Sequence, residues 1–190
     1  DYYELWEGNN HPWYKTPTGY YYSTFHGDFP DFNYRDGNGY VQIFMTNNII
    51  YWLNHRIDGF RFDAISHLVE NGRTMNLLYD QPETIKIMRD FSTAIRSYDN
   101  KFTIGEQSLS ETYLGNGKDL LHSTFAWNFS SRLLDAIKNG SPQIYGHNYT
   151  LDHVLAQELF IGMPVGTKRA TLLSNHDSIC GDRAFTQLYG

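Results

Sequence analysis

Asp58-Gly59-Phe60-Arg61-Phe62-Asp63-Ala64-Ile65-Ser66-His67 reads as a short apolar strand that carries an arginine and ends on an acid. Residues two apart on a strand point to the same side, so Arg61 can hold the Asp63 carboxylate ionised and aimed at one point. That pairing suits a nucleophile. An acid that follows a strand can equally cap the next helix, and both readings stand at this point.

Working outward, Val41, Phe44, Met45, Ile49, Trp52 and Leu53 recur at steps of three or four, which predicts a helix over 41–56 leading into the strand at 59–63. Downstream, Pro82-Glu83 places a proline and an acid where a first helical turn prefers them, and Ile85, Met88, Phe91, Ile95 and Tyr98 continue the helical spacing. Strands are expected at 102–106, 123–128 and 170–174, and helices at 130–138 and 151–161. Alternation of helix and strand argues for a parallel sheet. Three strands running into acids argue for a (β/α)8 TIM barrel, whose C-terminal rim carries chemistry. The competitor, an open doubly wound sheet, would show a glycine-rich phosphate turn after a strand, and neither G-x-G-x-x-G nor a P-loop occurs. A complete barrel takes about 250 residues, and only four convincing strands are counted in this 190-residue chain, so an incomplete barrel is expected. Residues 1–40, with turn signals at Gly8-Asn9-Asn10, Pro17-Thr18-Gly19 and Asp36-Gly37-Asn38-Gly39, read as a separate loop-rich aromatic segment, and residues 41–190 as the barrel portion.

Composition narrows the function. A net charge of -6 supplies no basic field for a phosphate backbone, so nucleic acid is a poor partner. With 15 Tyr, 12 Phe and 4 Trp, the chain is rich in rings whose flat faces suit sugars, although any single ring reads first as core. The lone Cys180 excludes an internal disulfide and a cysteine zinc cluster, and the scattered histidines form no i, i+4 pair for zinc. No membrane segment is found, because no apolar run approaches the ~18 residues of a span.

Asp63, Glu106 and Asp177 stand 43 and 71 residues apart, each after a strand and its intervening helices. On a parallel barrel they converge. Two carboxyls about 5–5.5 Å apart can cleave a glycosidic bond with retention, one attacking the anomeric carbon while the other protonates the departing oxygen. A third acid could bind sugar hydroxyls and keep the proton donor protonated near neutral pH.

Gly59 to His67, Thr103-Ile104-Gly105-Glu106 and Leu173-Ser174-Asn175-His176-Asp177 closely resemble three blocks of the alpha-amylase family of glycoside hydrolases, in the same order. Phe29-Pro30-Asp31-Phe32-Asn33-Tyr34 resembles a fourth, the Pro-Asp-Leu-Asn segment near the end of the family's inserted domain B, with Phe32 in place of Leu. The resemblance implies strands four to seven of the barrel and part of domain B. It implies Asp63 as nucleophile, Glu106 as general acid/base and Asp177 as transition-state stabiliser, with Arg61 holding Asp63 and His176 binding hydroxyls of the sugar at the cleavage point. His67 matches a histidine beside the leaving-group sugar, whose backbone carbonyl binds calcium in amylases; a locally satisfied histidine is the alternative. The chemistry needs no cofactor, and a structural Ca2+ is allowed by the resemblance.

The substrate class implied is an alpha-glucan or malto-oligosaccharide. Transglycosylation or sugar isomerisation on the same scaffold is the second reading, and a non-catalytic binding subunit the third. Asp80-Gln81-Pro82-Glu83-Thr84 resembles a stretch of oligosaccharide alpha-glucosidases, while His67 resembles the amylases. Gln107 departs from the aromatic or hydrophobic residue that many amylases carry after the acid. The family's upstream Asp-x-x-x-Asn-His block and its last strand are not seen in the chain, so the expectation is that these residues alone do not make a stable, active enzyme.

Overall fold

The computed structural model describes residues 12–25, 27, 29–72, 75–106, 111–139, 143–144, 147–148, 150–159, 162–174 and 176. Its centre is a four-stranded parallel sheet of β3 (Gly59–Phe62), β4 (Phe102–Gly105), β5 (Ser123–Phe125) and β8 (Lys168–Ala170), adjacent in that order. The four strands keep their sequence order across the sheet, with α-helices in the first and last crossovers and the 3-10 turn Glu111–Leu114 in the middle one, which is the order consecutive strands of a barrel take. The parallel-sheet expectation therefore holds over four strands.

The two longest helices have local causes. In α1 (Tyr40–Asn54) the start is organised by Asp36, whose carboxylate accepts the N–H groups of Gly39 at 2.5 Å and Val41 at 3.2 Å. These satisfy donors that a helix start leaves open. In α3 (Pro82–Arg96) Pro82 opens the first turn, Glu83 sits at its positive end and Arg96 at its negative end. Thr84, Ile87, Met88, Phe91, Ser92 and Ile95 are its buried stripe. That stripe packs against α1 and the loop after β3, in a core that includes Ile49, Leu53, Ile65, Val69, Tyr113, Leu120 and Leu121. A short α2 (Met75–Leu78) precedes α3, and α4 (Trp127–Asn139) packs on α5 (Leu151–Leu159).

Three differences from the sequence reading have physical reasons. The last strand was expected at 170–174 but lies at Lys168–Ala170, paired as Ser123↔Lys168 and Phe125↔Ala170. The ladder stops because β5 ends as α4 begins: Ala126 N–H donates to Ala170 O at 3.0 Å, and the carbonyl of Leu172 is taken by the Ser130 hydroxyl. For the same reason β5 is shorter than 123–128, and α4 starts three residues before 130. Two antiparallel hairpins were not expected: β1 (Trp13–Thr16) with β2 (Gly19–Tyr22), and β6 (Gln143–Ile144) with β7 (His147–Asn148). Among the described residues no helix is long and apolar enough to cross a membrane.

Candidate active site

The last paired positions of β3 and β4 are Phe62 and Gly105, so Asp63 and Glu106 each emerge one residue beyond the same rung of the sheet. The chains stay tied past that rung. Glu106 N–H donates to Phe62 O at 2.8 Å, and Ile65 N–H donates to Glu106 O at 3.0 Å. Between these bonds Ala64 is forced to φ 40, ψ 40, a left-handed conformation that a residue with a Cβ adopts only when its surroundings impose it.

Arg61 lies across the mouth of the sheet. Its Nη1 meets Asp63 Oδ1 at 2.6 Å and its Nη2 donates to Glu106 Oε2 at 2.8 Å. The sequence reading paired Arg61 with Asp63; the bond to Glu106 was missed, because it depends on the register of two strands far apart in the chain. Arg61 also lies over the ring of Phe125, 5.7 Å from guanidinium carbon to centroid, and Phe125 meets Trp127 edge-on at 5.5 Å. This contact at the end of β5 places an aromatic face against the guanidinium.

One cation between two acids does not treat them alike. Asp63 is 73% exposed at its side chain and Glu106 17%. The Asp63 carboxyl is held below its ordinary value, first by a hydrogen bond with Glu106, then by the charge and hydrogen bond of Arg61, with a smaller contribution from His176, all against the cost of burial. Glu106 is pushed up to about 7, first by burial and then by its hydrogen bond with Asp63, against the charge of Arg61. Near neutral pH one carboxyl is ionised and the other carries a proton, which it donates to its neighbour.

His176 is exposed and within electrostatic reach of Asp63. His67 closes the short 3-10 turn Ile65–His67, its ring 5.1 Å from Phe25 and 4.6 Å from Tyr79, and burial lowers it to about 4, so it is neutral. Asp177, like Cys180 and Gln107, lies outside the described residues. Among the described residues no group of three or more His, Cys, Asp or Glu side chains is placed to hold a metal ion. Asp31 and Glu70 are both engaged by Thr24, through its N–H and its hydroxyl.

A parallel β/α sheet with an arginine-bridged carboxyl pair on its C-terminal rim has the layout of a (β/α)8 barrel domain, whose site residues sit at the ends of its strands. The family description "Alpha amylase, catalytic domain" matches residues 1–187, and the chain belongs to that family. It is similar to alpha-amylase 3 of Dictyoglomus thermophilum, 28% identical over 145 residues that cover 73% of this chain and 27% of that protein. It is also similar to a trehalose synthase/amylase of Mycolicibacterium smegmatis, 28% identical over 168 residues, covering 84% of this chain and 26% of that protein. In structure, an alpha-amylase from H. orenii aligns with a TM-score of 0.69 at 26% identity, covering 99% of this chain and 36% of its own. The chain thus spans about a quarter of the length of those two relatives.

Proposed function

We propose that this chain carries the catalytic pair of a retaining glycosidase acting on alpha-glucosidic bonds of malto-oligosaccharides or starch. The observation that carries the reading is the single guanidinium spanning Asp63 and Glu106, with one acid held ionised and the other protonated up to about 7. Glu106 gives its proton to the glycosidic oxygen as the bond to the anomeric carbon breaks, while the Asp63 carboxylate forms an ester with that carbon. Water then gives its proton to the Glu106 carboxylate and attacks the ester, which releases the sugar with its configuration retained and restores both acids. Asp177 is assigned the third role, binding sugar hydroxyls and favouring the positively charged transition state. His176 is assigned hydroxyl binding. The packing of His67 between Phe25 and Tyr79 supports the local structural reading of that ring over contact with sugar.

In the enzyme that carries this chain, Asp63→Asn and Glu106→Gln should each lower kcat on maltotriose by about 10³-fold or more, with KM changed only a few-fold. Wild-type-like turnover in either variant would sink the assignment. The second reading, transfer to a sugar hydroxyl in place of water, is favoured by the similarity to a trehalose synthase/amylase. Incubation with maltose separates the two: glucose alone marks hydrolysis, and trehalose or isomaltose marks transfer.

A further inference from the structure

We propose that Tyr113 is a positioning residue for the Asp63–Glu106 pair, acting through Asp80 on the turn that follows Asp63. Tyr113 lies in the 3-10 turn Glu111–Leu114, on the segment that follows β4, and is fully buried. Its hydroxyl donates to Asp80 Oδ1 at 2.8 Å and lies 3.5 Å from Ile65 O. Asp80 belongs to the other loop, the one after β3. It is held at φ 54, and its N–H donates to Ser66 O at 3.0 Å. Two residues on this side, Tyr113 and Asp80, therefore fasten residues 65 and 66, while Glu106 takes the N–H of Ile65 from the other side at 3.0 Å. The strained Ala64, directly after Asp63, lies between these anchors at residues 65 and 66 and the bond from Glu106 N–H to Phe62 O at 2.8 Å. A left-handed alanine persists only when its surroundings over-determine it, and one phenol joining the loops after both acid-bearing strands adds to the constraint of the two Glu106 backbone bonds. The burial and the neighbouring Asp80 carboxyl raise the phenol well above its ordinary value, so it stays a donor at every working pH. The inference rests on Asp63 and Glu106 being the reacting pair.

A purely structural tyrosine would change stability without changing chemistry, so the test reads both in the active enzyme. Tyr113→Phe removes only the hydroxyl. It is expected to lower kcat about tenfold or more with KM within about threefold, since a small misplacement of reacting groups costs that much. As Asp63 drifts from Glu106, the alkaline limb of kcat/KM should also move below about 7. Asp80→Asn keeps an oxygen for the phenol and tolerates the left-handed backbone, so it should retain wild-type kcat and pH profile within about threefold. Asp80→Ala should reproduce the tyrosine variant. A Tyr113→Phe enzyme with wild-type kcat and alkaline limb but a lowered melting temperature overturns the proposal. If that variant does not fold, equal kcat and equal pH profiles for Asp80→Ala and Asp80→Asn overturn it instead. Retained turnover in Asp63→Asn would overturn the reading of the pair itself, a separate failure visible in a separate variant.

Discussion

Arg61 can bridge two carboxyls because a guanidinium presents donors in a fixed planar fork, whereas a lysine ammonium is a point charge on a flexible stem. Arg61→Lys should therefore meet one acid at a time, release the other, and lower kcat/KM by about 10²-fold through lost positioning. A variant with wild-type kcat/KM would show that the bridge is incidental. The sign of the pH dependence follows from the two acids. Asp63 must be ionised and is held below the ordinary 3.8, so its limb lies on the acid side of that value. Glu106 must be protonated and titrates at about 7, so kcat/KM should fall as pH rises through that region. In Glu106→Gln the limb near 7 should vanish from whatever activity is left, and its persistence would assign it to another group. The acids and the arginine were legible in the sequence because an unexplained charge at the end of an apolar strand needs a reason. The Arg61–Glu106 bond and the Phe125 ring beneath Arg61 were not, since both depend on which strands lie side by side and in what register.

At the scale of elements, α3 was legible because its proline start, its acidic first turn and its apolar period agree, although the period ran on to Tyr98 and the helix ends at Arg96. The strand β8 was placed two residues late because Leu172-Leu173 looks more strand-like than Lys168-Arg169, yet pairing with β5 decides the matter. Arg169 is accommodated by an ion pair to Glu158 at 3.4 Å, a partner on α5 that local sequence does not announce. The hairpin β1–β2 was hidden by a segment whose turn signals were clear and whose strands are only four residues long. The approach of β3 to β4 gives a sharper consequence. A Cβ at Gly59 would sit 1.9 Å from Phe102 O, a backbone atom that cannot step aside. Gly59→Ala should cost about 2–3 kcal/mol or more, because the two strands must separate at the first rung of their ladder. Phe91→Ala, which empties a site that is 2% exposed and stacked on Phe62 at 6.2 Å, should cost about 3–5 kcal/mol. Urea unfolding of both variants reads these losses, and a change under about 0.5 kcal/mol at either position would contradict the packing described.

In the molecule as a whole, the early loop-rich segment is fastened to the loop after β3 by a half-buried acid. Thr24 Oγ1 donates to Glu70 Oε1 at 2.5 Å, and Arg35 Nη1 donates to Glu70 O at 3.2 Å. The sequence showed Pro30-Asp31 as part of a resemblance and gave no sign of Glu70, because a carboxyl flanked by Val69 and Asn71 looks like any solvated acid. Burial first, and then the nearby Asp31 charge, raise Glu70 from 4.5 to about 7, against the hydrogen bond from Thr24 and the charge of Arg35. A raised acid favours the fold while protonated, so its contribution is full below 4.5 and is lost as pH rises through about 7. His67 acts in the opposite sense: lowered from 6.5 to about 4, it contributes fully above 6.5 and loses that contribution as pH falls to about 4. Each gap corresponds to roughly 3 kcal/mol at 1.36 kcal/mol per pH unit, and between 4.5 and 6.5 the two slopes cancel. Glu70→Gln keeps an oxygen for the Thr24 hydroxyl and places an amide N–H near Asp31, while removing the titration. The variant should match the wild type at pH 4.5 and gain up to about 3 kcal/mol over it at pH 8. Unfolding free energies at those pH values decide the matter: a Glu70→Gln protein less stable than wild type at pH 8 would mean that the charged carboxylate, and not its protonated form, fastens the early segment to the sheet.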